Sequence, residues 1–150
     1  MRHVSVVVVL VLLAVCAAPA GAAAAPTPEA RMVAKINAVR ADEAGLPPLR
    51  TAANLQRSAG AFARWLVAHD QFRHRPDVSV SRAYHHCGEA LAMHFSLQAE
   101  IGGTLRTWLG SPPHRALVLT SAMNLVGVGH AAGRAAGQPR TIWVLQVARR

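Results

Sequence analysis

Two histidines and one carboxylate stand in sequence contexts that suit a reactive or ligand-binding site. His74 lies in "QFRHRP", Glu89 in "HHCGEALA", and His114 in "SPPHRALVLTSAMNLVGVG". Two imidazoles and a carboxylate are a ligand set of catalytic zinc, which keeps a water in its fourth position. The sequence lacks the i, i+4 histidine pair of a zinc-hydrolase helix, so these residues alone do not predict a metal. A structural hydrogen-bonded cluster is the alternative, because a buried histidine beside a carboxylate is favourable without a metal.

The candidates for a nucleophile are weak. Ser111 directly precedes a proline, which is the position of a helix cap rather than of an activated serine. Cys87 beside a histidine would resemble a thiol protease, yet no motif supplies an orienting Asn or Asp. Glu89 could act alone as a general acid, as in single-carboxylate muramidases. If the chain is an enzyme, Glu89 and His114 are the residues predicted to carry catalysis.

Local signals predict four helices around these residues. Thr27-Pro28-Glu29 is typical of a helix start, and Gly45 ends that helix. Thr51 is predicted to cap a second helix. A third helix is predicted over about Leu97 to Leu109, and Ser111 is predicted to cap a short fourth.

The end of the chain predicts strands. The stretches "NLVGVGHAAG" and "TIWVLQVA" alternate around a glycine-rich turn, which indicates an antiparallel hairpin, whereas residues 72–86 predict a long loop. Helices packed on a small antiparallel sheet make an α+β protein. Three tryptophans on apolar stripes are predicted to be core residues: Trp65, Trp108 and Trp143. Four histidines in loop or edge contexts are predicted to face solvent: His85, His86, His94 and His130.

The first 25 residues are typical of an export signal. A charged start precedes an aliphatic segment, Val4 to Ala18, and small residues follow in "AAPAGAAAAPTPEA". This order predicts a signal peptide cleaved after an Ala-x-Ala site. An uncleaved membrane anchor is the alternative, but proline, glycine and alanines dilute the segment. We therefore expect a signal peptide over 1–25, a single domain over 26–150 and a secreted protein.

The chain is basic and poor in cysteine. Its 16 Lys and Arg against 7 Asp and Glu give a formal net charge of +9, and Lys35 is the one lysine. Scattered arginines with few aromatic residues argue against nucleic acid as a partner. They favour attraction to an anionic cell envelope or lipid surface. Cys16 falls within the export signal, which leaves Cys87 without a partner in the mature chain.

The order of the motifs resembles the bacterial branch of the CAP superfamily, which unites cysteine-rich secretory proteins, antigen 5 and plant pathogenesis-related proteins. The motifs are "LPPL" between two helices, then "F-x-H", "G-E-x-x-A", "W-x-x-S-P-x-H-R", "G-V-G" and a closing strand with glutamine. The resemblance covers about residues 28–148. It implies an α-β-α sandwich with a central cleft.

The resemblance also implies the residues of that cleft. In the family two histidines and two acids line it, and in some members the histidines hold a divalent metal. His74 and His114 match the histidines, so they are the implied ligands of a metal such as zinc, and Glu89 matches one acid. Ser111 stands where the second acid would be, and Ala90 stands where asparagine is usual. We therefore expect a binding cleft of His74, Glu89, Ser111 and His114, with its two imidazoles roughly 4–7 Å apart.

Two functions from different classes are compatible with these residues. One is a secreted, monomeric, non-catalytic module that binds a lipid or sterol in a groove beside the cleft, as some members of the family do. The other is a cell-envelope hydrolase, peptidase or muramidase-like, that acts through His74, Glu89 and His114. A role as an interaction partner at the cell surface is a third. The missing second acid and the lack of a nucleophile motif favour the binding module.

Overall fold

The computed structural model describes residues 24–76 and 84–150. Within these ranges the chain forms four helices and four strands, in the order α1 (Pro28–Ala44), β1 (Arg50–Thr51), α2 (Ala53–Ala68), β2 (His86–His94), α3 (Ile101–Gly110), α4 (Pro112–Val118), β3 (Leu125–Ala135) and β4 (Gln138–Arg149). The predicted signal segment lies outside the described residues except for its last two. No helix in the described part of the chain is long and apolar enough to cross a membrane.

The strands form one sheet in the order β1-β3-β4-β2. β4 pairs antiparallel with both β3 and β2. α2 packs on one face of the sheet, whereas α1, α3 and α4 pack on the other. The expected α+β class and α-β-α layering are confirmed. The sheet is mixed rather than wholly antiparallel, because the short β1 runs parallel to β3.

Near both ends of the domain, the sequence signals for helix caps and for a turn correctly predict the elements that form. The hydroxyl of Thr27 accepts a hydrogen bond from the backbone N–H of Ala30 at 3.2 Å. Gly45 ends α1 in the left-handed conformation, with φ 60°, which glycine adopts without steric cost. The predicted hairpin is β3–β4, and it turns at Ala136 and Gly137.

Two predicted helix starts are wrong, because neighbouring strands hold the residues in question. Thr51 caps no helix; it lies in β1 opposite Val126, and α2 begins two residues later. α3 begins at Ile101 rather than at Leu97. The preceding segment instead offers carbonyls to β4, where the Thr141 hydroxyl donates to the carbonyl of Ser96 at 2.7 Å.

Strand β2 was not predicted. Its sequence, "HCGEALAMH", combines glycine, alanines and polar residues of weak strand propensity. It is nevertheless paired along its whole length, from His86 opposite Arg149 to His94 opposite Thr141. The pairing partner β4, whose central residues form a continuous buried and mostly apolar run, therefore determines this strand more than local propensity does.

The close packing of α2 on β3 explains why this strand contains Gly127 and Gly129. Both lie where α2 packs on the sheet, and a Cβ atom at Gly129 would come within 3.0 Å of the backbone of Gly60. A Cβ atom at Gly127 would meet the backbone of Leu55 equally closely. The helix backbone thus rests directly on β3, which only glycine permits.

Candidate functional site

Glu89 is the buried carboxylate at the centre of the site. It lies on β2 opposite Gln146 on β4, and its side chain is 1% exposed. The Gln146 amide donates to Oε2 at 3.1 Å, and the backbone N–H of Arg75 donates to Oε1 at 3.4 Å. These hydrogen bonds replace the water that the carboxylate loses on burial.

His74 contacts Glu89 from the segment that follows α2. Its Nδ1 lies 3.1 Å from Oε1 of Glu89, and the two form an ion pair when the imidazole is protonated. The neighbouring Arg75 guanidinium donates to the hydroxyl and the carbonyl of Ser58 at 3.1 and 2.9 Å. It also lies over the ring of Phe62, 4.3 Å from the centroid. Arg75 therefore anchors the segment that contains His74 to α2.

His114 faces His74 from α4. The two ring centroids are 6.1 Å apart, within the separation expected from the sequence. Nδ1 of His114 is buried and has no hydrogen-bond partner among the described residues. Burial, and to a lesser degree the nearby His74, lowers the pKa of His114 below its ordinary value. Arg40 anchors the far end of α4 by donating to the carbonyls of Val118 and Thr120 at 2.6 and 2.9 Å.

Ser111 stands at the N-cap position of α4, but its side chain makes no capping hydrogen bond. Pro113, at the second position of the helix, has no N–H to donate. The Ser111 carbonyl instead accepts from the N–H of Arg115 at 2.8 Å. Among the described residues, no hydrogen bond joins the Ser111 side chain to Glu89 or to either histidine. Side-chain contacts thus bring His74, Glu89 and His114 together, and Ser111 lies three residues before His114 at the start of the same helix.

The arrangement can orient an imidazole and exchange a proton. Because Nδ1 of His74 faces Glu89, Nε2 is the ring nitrogen directed away from the carboxylate and towards a ligand. No group of three or more His, Cys, Asp or Glu side chains in the described ranges is placed to hold a metal ion. The two imidazoles fit a two-ligand metal site, with Glu89 behind one of them to orient it.

An apolar cavity of about 420 Å³ opens beside His74. Phe62 and Trp65 on α2 form its wall, with their rings stacked and their centroids 6.0 Å apart. Arg73 also lines the cavity, and its guanidinium lies 5.4 Å from the centroid of Trp65. The cavity therefore offers apolar and aromatic surface next to cationic groups.

The three tryptophans have different environments. Trp108 and Trp143 are fully buried, as predicted. The prediction that Trp65 is a core residue is wrong, because this side chain is 36% exposed and lines the cavity on the outer flank of α2.

Two of the four histidines predicted to face solvent do so, His85 and His86. The other two are half-buried, because each has a partner on a helix of the α1–α3–α4 layer. His94 Nε2 lies 2.8 Å from the hydroxyl of Thr104. His130 Nδ1 lies 2.6 Å from Oε1 of Glu29. For these two, the prediction is wrong.

Two residues that build the site were not among the candidates. Gln146 is 1% exposed, and a glutamine inside the apolar run "TIWVLQVA" indicates a buried polar group that needs a partner. Arg75 gave no such signal, because its partner Ser58 lies on another element and exposed arginines are common.

The domain as a whole was compared with known proteins. The model of the family named CAP, the cysteine-rich secretory protein family, matches residues 33–147. The chain belongs to this family. No curated protein matches it significantly.

Solved structures share this CAP fold at low sequence identity. An outer surface protein of Borrelia burgdorferi matches with a TM-score of 0.64 and 17% identity, over 80% of this chain and 90% of that one. An extracellular SCP-domain protein of Bacillus anthracis matches with a TM-score of 0.66 and 17% identity, over 82% and 40%. Venom allergen-like protein 4 of Schistosoma mansoni matches with a TM-score of 0.55 and 12% identity, over 84% and 92%. At these identities the likeness shows the fold alone.

Proposed function

We propose that this CAP-domain protein is a secreted, monomeric, non-catalytic binding module for a lipid or sterol. The observation that carries the proposal is the apolar cavity beside His74, whose volume of about 420 Å³ falls within the range typical of small-molecule sites, roughly 300–1,000 Å³. Its aromatic wall of Phe62 and Trp65 suits an acyl chain or a sterol ring.

The charges around the cavity refine the class of ligand. Arg73, His74 and Arg75 all line it, and no acid is among the described residues that line it. An amphipathic ligand with an acidic head group, such as a fatty acid, therefore complements it better than a neutral one. The net charge of +9 would attract the protein to the anionic envelope from which such ligands come.

A fatty-acid titration tests the cavity. We expect a fluorescent fatty acid to bind saturably and Trp65→Ala to weaken it about tenfold or more, because a large apolar contact of roughly 1.5 kcal/mol is lost. Phe95→Ala is the matched control, since Phe95 is 69% exposed and does not line the cavity. His114→Ala should weaken binding less than Trp65→Ala. Equal affinities for the Trp65 and Phe95 variants would exclude this cavity.

The histidine pair supports a second, weaker ligand. Two imidazoles with their centroids 6.1 Å apart suit zinc or a similar borderline ion, and the lack of a third ligand among the described residues predicts weak binding. Imidazole must be neutral to ligate, so the affinity should fall steeply below about pH 6. Calorimetric titration of zinc at neutral and acid pH tests this. Equal affinity in the His74→Ala, His114→Ala double variant would show that zinc binds elsewhere.

A cell-envelope hydrolase is the alternative function. The hydrogen bond between His74 and Glu89 favours it, since it is the kind of pair that exchanges protons with a substrate. Against it, the site has one carboxylate and no nucleophile beside a base. Turnover of peptidoglycan or of a peptide library that disappears in Glu89→Gln would establish the hydrolase and contradict the binding module.

A further inference from the structure

The outward face of α2 carries a cationic stripe. Arg57, Ala61, Arg64 and Ala68 recur at helical spacing, and all four are exposed. α2 contains no Asp or Glu. Neither arginine of the stripe forms an ion pair with a residue that the structure describes. Small alanines between the arginines leave the helix backbone open to close approach by a flat partner.

Exposed aromatic side chains adjoin this stripe. Trp65, on the flank of α2, is 36% exposed, and Phe72, in the segment after α2, is 47% exposed. The Arg73 guanidinium lies over the Trp65 ring. Tryptophan with arginine is a combination enriched where proteins meet the head-group region of a membrane, because the ring is apolar at one end and polar at the other.

Two acids near this face, one lining a cavity beside the stripe and one just after α2, are paired with other side chains. Glu29 is hydrogen-bonded to His130 at 2.6 Å, and Asp70 forms an ion pair with Arg140. Glu29 also lines a second cavity, of about 470 Å³, that runs between the stripe and β3. Because that carboxylate repels an anion inside the cavity, Arg57 and Arg64 are better placed to meet anions outside it.

We infer that this face of α2, defined by Arg57, Ala61, Arg64 and Trp65, docks on an anionic lipid bilayer together with Phe72 in the segment that follows the helix. Charge complementarity selects the anionic surface, and the exposed aromatic residues select a bilayer over a soluble polyanion. Ala61 and Trp65 also line the apolar cavity, so docking presents that cavity to the lipids. The inference does not depend on the proposed function, because a protein can dock on a membrane without taking up a lipid.

Vesicle binding by matched double variants tests the surface. On phosphatidylcholine vesicles that contain phosphatidylglycerol, Arg57→Gln, Arg64→Gln should lower the partition coefficient roughly 30-fold, which is about 1 kcal/mol for each guanidinium removed. Arg31→Gln, Arg106→Gln removes the same net charge from exposed residues of α1 and α3, on the other side of the sheet. That control should change the partition coefficient less than about threefold, because α1 and α3 pack on the face of the sheet opposite to α2. Every variant shares the same N-terminus, so any contribution of the N-terminus to membrane binding cancels in the ratio of two partition coefficients.

Trp65 provides a local probe, since Trp108 and Trp143 are fully buried. Brominated acyl chains should quench the emission of the wild type but not that of Trp65→Phe, and Phe72→Ser should weaken binding. Equal partition of the two arginine variants would overturn the inference. A second result would also overturn the inference: no quenching of Trp65 emission, together with equal losses of affinity for vesicles and for soluble polyphosphate in the Arg57→Gln, Arg64→Gln variant. That result would indicate a site for soluble polyanions. Fatty-acid titration without vesicles tests the cavity separately, so failure of either proposal is recognised independently.

Discussion

Glu89 is held in place by its neighbours. Both of its oxygens are engaged, by the imidazole of His74, the backbone of Arg75 and the amide of Gln146. Two other buried atoms of the site have no hydrogen-bond partner among the described residues, Nδ1 of His114 and Oε1 of Gln146. A buried polar atom without a partner costs free energy, so these two are the atoms of the site at which a new hydrogen bond would stabilise most.

We expect His114 to titrate below about 6.5, the ordinary histidine pKa. Burial is the main cause of its lowered pKa and the neighbouring His74 is the lesser one, so His74→Gln should raise the pKa of His114 only part of the way back. The folded protein binds this proton less tightly than the unfolded chain does. His114 thus favours folding above about pH 6.5, and the contribution is lost as pH falls through the lowered pKa. NMR titration of the ring protons measures this, and a value at or above 6.5 would contradict it.

At the residue scale, the resemblance carried by the order of the motifs pointed to His74, Glu89 and His114, and these three side chains lie together in the structure. Trp65 was misjudged for a physical reason: a stripe at helical spacing shows which residues share a flank, but not where the packed surface ends. The hydrogen-bonding role of Gln146 required knowledge of the strand pairing that sets it opposite Glu89.

At the element scale, the contact between α2 and β3 determines the position of the cavity wall that Phe62 and Trp65 form. Gly129 faces the backbone of Gly60, and Gly127 faces that of Leu55. Because these are backbone contacts, no side-chain rotation can relieve a substitution there. The position of α2, and with it Phe62 and Trp65, therefore depends on two residues that have no side chain.

Gly129→Ala should lower the free energy of unfolding by about 1–3 kcal/mol, the usual cost of overpacking. Gly110→Ala is the matched control, because nothing lies within 4 Å of a Cβ atom there and alanine stabilises a helix by up to ~1 kcal/mol over glycine. Urea unfolding of both variants measures the difference. A Gly129 variant as stable as the wild type would show that α2 can shift freely on the sheet.

The elements differed in how far sequence could predict them. α1 and the β3–β4 hairpin carry their own signals, such as the Thr27 cap, Gly45 and the glycine-rich turn. β2 and the start of α3 do not, because β4 decides both: it pairs with β2 along nine residues, and its side chains donate hydrogen bonds to carbonyls of the segment before Ile101. Non-local pairing of this kind leaves no local pattern.

At the scale of the whole molecule, basic charge and an expected export signal point to the same compartment. The net charge of +9 suits an anionic envelope, which is the surface that a protein exported by such a signal would meet.

We expect the mature protein to begin between Gly21 and Pro26, because small residues there follow an aliphatic segment that is too diluted by alanine for a stable anchor. N-terminal sequencing of protein from the culture medium measures this directly. The same sequencing of the membrane fraction serves as the control. An intact Met1 terminus confined to that fraction would show an uncleaved anchor instead.

The place of β4 in the sheet has a consequence for the order of events in the cell. β4 follows the other described strands in the chain, yet it lies between β2 and β3 and pairs with both. Neither β2 nor the helices on either side can complete their burial until β4 has been synthesised. The pairings that hold the sheet together are therefore made late, because they join residues far apart in the sequence. This strand order delays folding of the domain until β4 has left the ribosome.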